Sequence, residues 1–199
     1  MDWQHFELPG ADVQLASFCD AEQAQHWFDT LHTEIPWERH RLRLFGREID
    51  APRLSCWVGD ADAVYTYSRV RFVPHVWTPA LAELRDAVCA ACDEPYNSVL
   101  CNLYRDGNDA MGWHSDSEPE LGPAPSIASL SLGATRRFRL RHRQDEALRR
   151  DIALQSGSLL LMRGATQRNY RHDLPRARGV SQARINLTFR RIFPTAGAR

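Results

Sequence analysis

The 199-residue sequence has no lysine; all 25 of its basic residues are arginine. Cysteine is scarce as well. Cys19, Cys56, Cys89, Cys92 and Cys101 form an odd, scattered set that argues against a disulfide framework. One C-x-x-C pair, Cys89 and Cys92, lies at the end of a helical pattern, and no second pair exists to complete a zinc site. Long apolar runs are missing: none approaches the roughly 20 residues that a membrane-spanning helix requires. The opening "MDWQHFELPG" lacks the basic-then-apolar order of a secretory signal. These absences lead to the expectation of a cytoplasmic chain with no membrane contact. Neither an internal repeat nor a low-complexity linker divides it, and its length suits one domain with a sizeable core.

Formal charge is zero, but its distribution is lopsided. From Arg136 onward there are sixteen arginines against four acids, a surplus of twelve, mirrored by an equal acidic excess before it. A basic C-terminal third suits a polyanion such as nucleic acid; codon bias explains missing lysine but not this asymmetry.

Residues 20–32 read as a helix with Asp20 as N-cap and Gln23 as capping-box partner. Thr78 and Pro79 start another over 79–92. Strand character marks "RLRLFG", "LSCWVG" and "VYTYSRVRF", and from residue 97 onward every segment reads as β, with turns at "RDGND", "LGPAPS", "LGAT", "QSG" and "LPRARG". Many short, closely spaced strands imply a sandwich or barrel. The expected fold class is mainly β with flanking helices: an all-β C-terminal core with an N-terminal α+β part packed on it.

In "WHSDSEPEL", His114 and Asp116 stand two apart and share a side if 113–116 end a strand. His172, in "NYRHDLPR" after the apolar "GSLLLMRG", offers a third ligand from a distant strand. Two histidines and a carboxylate suit non-haem Fe(II) that keeps positions open for a co-substrate and O2; a three-ligand zinc with bound water fits the same residues. H-x-D alone is a weak signal. In "RINLTFRR" one strand face carries Ile185, Leu187 and Phe189, and the other carries Arg184, Asn186, Thr188 and Arg190. Asn102 and Tyr104 in "CNLYRDG" are again two apart. Arginine forks with neutral amide and phenol donors suit a small dicarboxylate, although a solvated outer face is the other reading of such a strand. At roughly 3.3 Å per residue Arg184 and Arg190 stand about 20 Å apart, so folded-over side chains or a bulge must bring both to one ligand.

Taken together, N-x-Y, H-x-D, a late histidine and R-x-N-x-x-x-R resemble the AlkB family of 2-oxoglutarate- and Fe(II)-dependent nucleic-acid dealkylases, over about residues 44–192. "SIASLSLGATRRFRLRH" and "GSLLLMRG" are most similar to animal members acting on double-stranded DNA and their bacterial relatives. The resemblance implies a double-stranded β-helix, a jelly-roll relative, as the catalytic core over residues 95–199. Residues 1–94 would supply helices and a nucleotide-recognition lid within one compact unit. It implies that His114, Asp116 and His172 hold iron and that Asn102, Tyr104, Arg184, Asn186 and Arg190 hold 2-oxoglutarate, Arg184 and Tyr104 at its far carboxylate. The implied activity is oxidative demethylation of 1-methyladenine and 3-methylcytosine in DNA, duplex and single-stranded, with O2 consumed and succinate, CO2 and formaldehyde formed. The same chemistry on RNA, protein or a small molecule is the alternative, and a barrel that binds without turnover is a second.

Glu118 falls on the same side as Asp116 if the chain stays extended, where a carboxylate favours the cationic methylated base; it also matches the family's base-reading acid. A flipped base needs an aromatic platform. Tyr65 and Tyr67 share a face, and Tyr67 matches the position that stacks on the base opposite His114. Phe45, in "LFG", resembles the finger that duplex-specific members push into the stack, and Arg53 matches a lid position. The alternating row Arg137, Arg139, Arg141 and Arg143 suits phosphates along a groove. A monomer is expected.

Overall fold

In the computed structural model, residues 1–39, 41–44, 47–67 and 70–193 are described, with backbone alone at 42–44, 47–49, 65–67 and 70–72. Two helices pack side by side. Helix α1 is Ala21–Glu34, and Asp20 caps it by accepting from the Gln23 amide at 2.8 Å. Helix α2 is Pro79–Cys92, capped by Thr78 and closed by Asp93 in the left-handed region. Both begin where their caps place them.

A seven-stranded sheet runs β1 (Gln4–His5), β2 (Asp12–Ser17), β13 (Ser158–Arg163), β10 (Ile127–Gly133), β15 (Arg184–Arg190), β8 (Ser98–Tyr104) and β5 (Leu54–Gly59). Facing it, a four-stranded sheet runs β12 (Arg149–Leu154), β11 (Arg136–His142), β14 (Tyr170–Leu174) and β9 (Met111–His114). Two hairpins stand apart: β3 (Arg41–Leu44) with β4 (Arg47–Asp50), and β6 (Tyr65–Tyr67) with β7 (Val70–Phe72). The architecture is mainly β, two apposed antiparallel sheets with helices on one side, as expected for a jelly roll.

Three layers result, with two cores between them. Leu31, Leu81 and Leu84 of the helices pack on Leu130, Leu132, Ile185, Leu187 and Phe189 of the large sheet. Between the sheets, Ile127, Leu160 and Met162 meet Phe138, Leu140, Ile152 and Leu154. Both faces of the central strand β15 are therefore covered, and all seven of its residues are buried. Its polar face is an inner one, which removes the solvated-face alternative.

Several expectations need correction. The region after residue 97 is not all β: a 3-10 turn spans Pro119–Leu121, and α3 is a single helical turn, Thr166–Asn169. "VYTYSRVRF" is two paired strands, not one. Strand β9 ends at His114, so Asp116 lies beyond it. The N-terminal part also contributes to the large sheet itself, since β2 pairs with β13 and β5 with β8. The chain reverses after β10 at Gly133, where φ is +85° and a Cβ would stand 2.5 Å from the Ala183 carbonyl oxygen. No helix among the described residues is long and apolar enough to cross a membrane.

Candidate active site

The pocket opens between the sheets. Its floor is the polar face of β15 with the strands beside it; its opposite wall is β9 and β14. Antiparallel register sets the floor, with Asn186 opposite Asn102 and Arg184 opposite Tyr104. Across the pocket His114 pairs with His172. Asp116 reaches them from the loop after β9. Its amide donates to Gln167 Oε1 at 3.0 Å, so side-chain capture rather than strand alternation sets its position.

Ligating atoms of His114, Asp116 and His172 all lie within 4.8 Å of one another. Each is held for that arrangement. His114 Nδ1 is 2.8 Å from the Gly112 carbonyl oxygen; a carbonyl only accepts, so Nδ1 carries the proton and Nε2 presents its lone pair. Burial and then His114 lower the His172 imidazole to about 3, against the pull of Asp116. It is therefore neutral near pH 7, the form that ligates a metal. The ring stacks on Phe138, centroids 5.1 Å apart. Burial alone would raise the Asp116 carboxyl, but Arg190, His172 and His114 outweigh it and hold it at about 2. Arg190 Nη2 lies 3.0 Å from Asp116 Oδ1. Two imidazoles and one carboxylate, pre-aimed with Asp116 and His172 buried and His114 half-buried, fit a ferrous ion.

The other half of the pocket is cationic. Arg184 is 1% exposed, and burial lowers its guanidinium to about 10. It donates to Ser131 Oγ at 2.9 Å and Asn186 Oδ1 at 2.6 Å and lies against the Tyr104 ring at 5.4 Å. Its Nε is buried without a partner. A carboxylate would satisfy that donor, so the pocket fits an acidic ligand at this end. Asn186 also accepts from Ser129 Oγ and donates to Thr188 Oγ1.

Asn102, Tyr104, His114, Asp116, His172, Arg184, Asn186 and Arg190 thus line one pocket. The β15 pleat runs along the pocket floor, so Arg184 and Arg190 serve opposite ends of it and need not reach one atom. Arg53 is not among the lining residues but donates from Nε to Asn102 Oδ1 at 2.8 Å. Glu118 does not line the pocket but is close enough to be influenced by it: burial and then Asp116 push its carboxyl up, against Arg190 and His114. The side chains of Tyr65 and Tyr67 lie outside the described residues, as does Phe45.

Sequence reasoning missed Ser129, Ser131, Gln167 and Arg136. The serines had a signal, since they alternate with Ala128, Leu130 and Leu132, which marks them as the inner face of β10. Arg136 had one too, sharing parity with Phe138 and Leu140 and not with Arg137. It is 2% exposed, donates to the carbonyls of Asp106, Asp109 and Pro175, and lies against the Tyr104 ring at 5.7 Å. Gln167 gave none, because its role depends on a loop fifty-one residues away.

Comparison with known proteins agrees with this geometry. Residues 12–190 match the 2OG-Fe(II) oxygenase superfamily. Alpha-ketoglutarate-dependent dioxygenase alkB homolog 3 of Bos taurus is 39% identical over 186 residues, 89% of this chain but 64% of that protein, so the chain spans under two thirds of that relative. DNA oxidative demethylase ALKBH2 of Mus musculus is 35% identical over 204 residues, covering 98% of this chain and 85% of the relative. The human ALKBH2 protein is 36% identical, covering 97% and 78%. A solved structure described as "The structure of OsALKBH1" superposes with a TM-score of 0.64 at 17% identity, covering 96% of this chain and all of that one, a likeness of fold. The chain belongs to the 2OG-Fe(II) oxygenase superfamily, on its AlkB branch.

Proposed function

We propose that this protein is an Fe(II)- and 2-oxoglutarate-dependent dioxygenase that demethylates N-alkylated DNA bases, 1-methyladenine and 3-methylcytosine, in duplex and single strands. The observation that carries the reading is the opposition, within one buried pocket, of a His–Asp–His cluster and an arginine with an unpartnered guanidinium nitrogen. The first suits Fe(II) with open positions; the second suits the far carboxylate of a keto diacid.

His114 Nε2, the Asp116 carboxylate and His172 would hold the iron, and Arg184, Tyr104, Asn102, Asn186 and Arg190 would surround 2-oxoglutarate. When bound, this pair supplies O2 activation, coupling decarboxylation of 2-oxoglutarate to succinate and CO2 with hydroxylation of an N-methyl group that leaves as formaldehyde. The protein's part is placement. Arg184 fixes the diacid's orientation with a bidentate fork, and Tyr104 keeps that fork aimed. Arg190 and Gln167 fix the carboxylate that must face the metal. Phe138, Leu100, Met162 and Leu174 keep the surroundings apolar and exclude water.

Residues 95–199 form the catalytic β-helix in this account, and the N-terminal hairpins act as the lid. Flipping a base costs a few kcal/mol in lost stacking and pairing, and less for a lesion that cannot pair. Phe45 would hold the opened stack, Tyr67 would stack on the base with Tyr65 beside it, and Arg53 would close over the rim. Glu118 would favour the positive charge of the methylated ring. The DNA oxidative demethylase relatives support a DNA substrate. Five free cysteines suit a reducing, cytoplasmic setting, and the protein would act there as a monomer.

The test is incubation with Fe(II), ascorbate, 2-oxoglutarate and an oligonucleotide carrying 3-methylcytosine, with the product weighed. Loss of one methyl group with succinate formation, both abolished in His114→Ala, is the expected result. Turnover without iron or 2-oxoglutarate refutes the mechanism, and turnover of an RNA oligonucleotide alone moves the substrate.

A further inference from the structure

The four-stranded sheet has a second lined groove on its outer face, the side away from the pocket. Trp113 lies in it with Arg137, Arg139 and Arg141 of β11 and Arg149 of β12. Parity and register put them together: Arg141 stands opposite Arg149 on one side and opposite the exposed Arg171 of β14 on the other. Arg139 and Arg141 lie 5.0 and 4.6 Å from the Trp113 ring, which holds both guanidinium planes in place.

Acids offset only part of this charge. Arg137 pairs with Asp151 at 3.3 Å, Arg141 with Glu146 at 3.0 Å, and Arg139 with Asp173. Arg149 and Arg171 have no acidic partner among the described residues. A groove left cationic, floored by an aromatic ring and furnished with arginine forks, fits a run of phosphodiesters.

The groove leads to the pocket. Trp113 and His114 are adjacent residues whose side chains leave opposite faces of β9, one into the groove and one into the pocket. Strand β9 is the edge of its sheet, so only its own width separates the two. At that edge Gly112 leaves open space, since a Cβ there would meet nothing within 4 Å. On the rim Arg143 donates to Ser115 Oγ at 2.9 Å, which extends the arginine row to the residue between His114 and Asp116. A polymer occupying both places must turn around β9. Duplex DNA, with a persistence length of about 150 base pairs, resists such a turn; a single strand makes it freely.

We propose that this outer face is a groove for single-stranded DNA, holding the sugar–phosphate backbone that flanks a base in the pocket. The inference rests on the pocket being a DNA-base site, and it adds a contact surface remote from the chemistry. Lengthening a single strand beyond the few nucleotides that the mouth covers therefore adds affinity through the groove alone.

Fluorescence anisotropy with unmodified trinucleotide and dodecanucleotide single strands, titrated between about 50 and 200 mM salt, tests it. Wild type gains affinity and salt slope on lengthening. The triple variant Arg137→Gln, Arg149→Gln, Arg171→Gln changes exposed side chains only, and its melting temperature and near-ultraviolet circular dichroism check the fold. At about 0.7 of slope per phosphate it loses about two units of slope on the dodecamer, roughly 100-fold in affinity at about 0.1 M salt. Trp113→Ala, with every charge kept, weakens the dodecamer about fivefold, and Trp113→Tyr restores most of it. A triple variant with the wild-type slope overturns the groove and leaves the proposed function standing. A wild type with no salt-dependent binding to either strand overturns the DNA reading itself. If duplex gains as much from the groove as a single strand does, the assigned occupant is wrong.

Discussion

Replacing Arg184 by methionine should move the free protein and its ligand complex in opposite directions. In the ligand-free protein this guanidinium is buried, and burial, opposed by Tyr104 and joined by Arg136, lowers its pKa from 12.5 to about 10. A shift of that size corresponds to about 3 kcal/mol of strain on the charged form. Methionine removes the strain and keeps most of the volume. The substitution also loses the hydrogen bonds to Ser131 and Asn186, about 1 kcal/mol each. Asn186 Oδ1 keeps its bond from Ser129, which limits that loss. The balance is about 1 kcal/mol in favour of the variant, a melting temperature raised by roughly 2–4 °C for a chain of this size. Binding of 2-oxoglutarate behaves the other way. A buried fork that pairs its carboxylate is worth 3–5 kcal/mol on removal, so the dissociation constant should rise at least about 100-fold. Calorimetric titration of 2-oxoglutarate with Mn(II) in place of iron measures this without turnover, and differential scanning of the free protein measures the other half. Arg184→Lys, which keeps charge but not the fork, should recover less than half of the lost binding energy. A free variant destabilised by more than about 2 kcal/mol, or binding reduced less than about tenfold, would refute the argument that this cation is held in readiness for an anion.

Arg136 and Arg137 are sequence neighbours with opposite expected outcomes. Arg136→Met leaves one buried and two part-buried carbonyls without their donor and should cost about 2–4 kcal/mol, roughly 5–10 °C in melting; Arg137→Met, on the exposed face, should stay within about 0.5 kcal/mol. At alkaline pH the buried thiols set the slope. Burial raises Cys56 to about 12, Cys92 to about 11, and Cys101 in the same direction. Their folded values lie above the unfolded value of about 8.5, so the stability they contribute is complete below that pH and is lost above it, by roughly 1 kcal/mol per pH unit for each thiol. Urea unfolding at successive pH values should show this decline, and Cys56→Ala should make it shallower by up to about 1 kcal/mol per pH unit; an unchanged slope would place the effect elsewhere.

The parts of the fold legible in the sequence are those fixed within a few residues. Asp20 and Thr78 announce their helices because a cap acts on an amide three positions away. β8, β10 and β15 show as apolar alternation because one face of each meets the helices, and β13 shows as an unbroken apolar run because both its faces are covered. Strand β14 has no pattern of its own: "YRHDL" buries a histidine and an aspartate, so only its place among the other β segments marks it as a strand. Asp116 illustrates the limit for the site. Spacing puts it beside His114, yet β9 stops at His114, and it is Gln167 and Arg190 that bring the carboxylate there. Strand alternation points to the right residue through a geometry the chain does not use.

That difference has a physical origin. A polar residue on a strand costs nothing locally, so its alternation states only that two faces differ; which face is inner depends on a third layer. Here the helices cover the apolar face of β15, and the second sheet then encloses the polar one. The arginines of β15 are thereby taken out of water, and Arg190 finds its counter-charge in Asp116 while Arg184 keeps a donor open. Local rules of burial fail at those two positions for the same reason that the pocket can work. A strand that placed its charges outward would leave the His–Asp–His cluster facing an apolar wall, with no cation beside it.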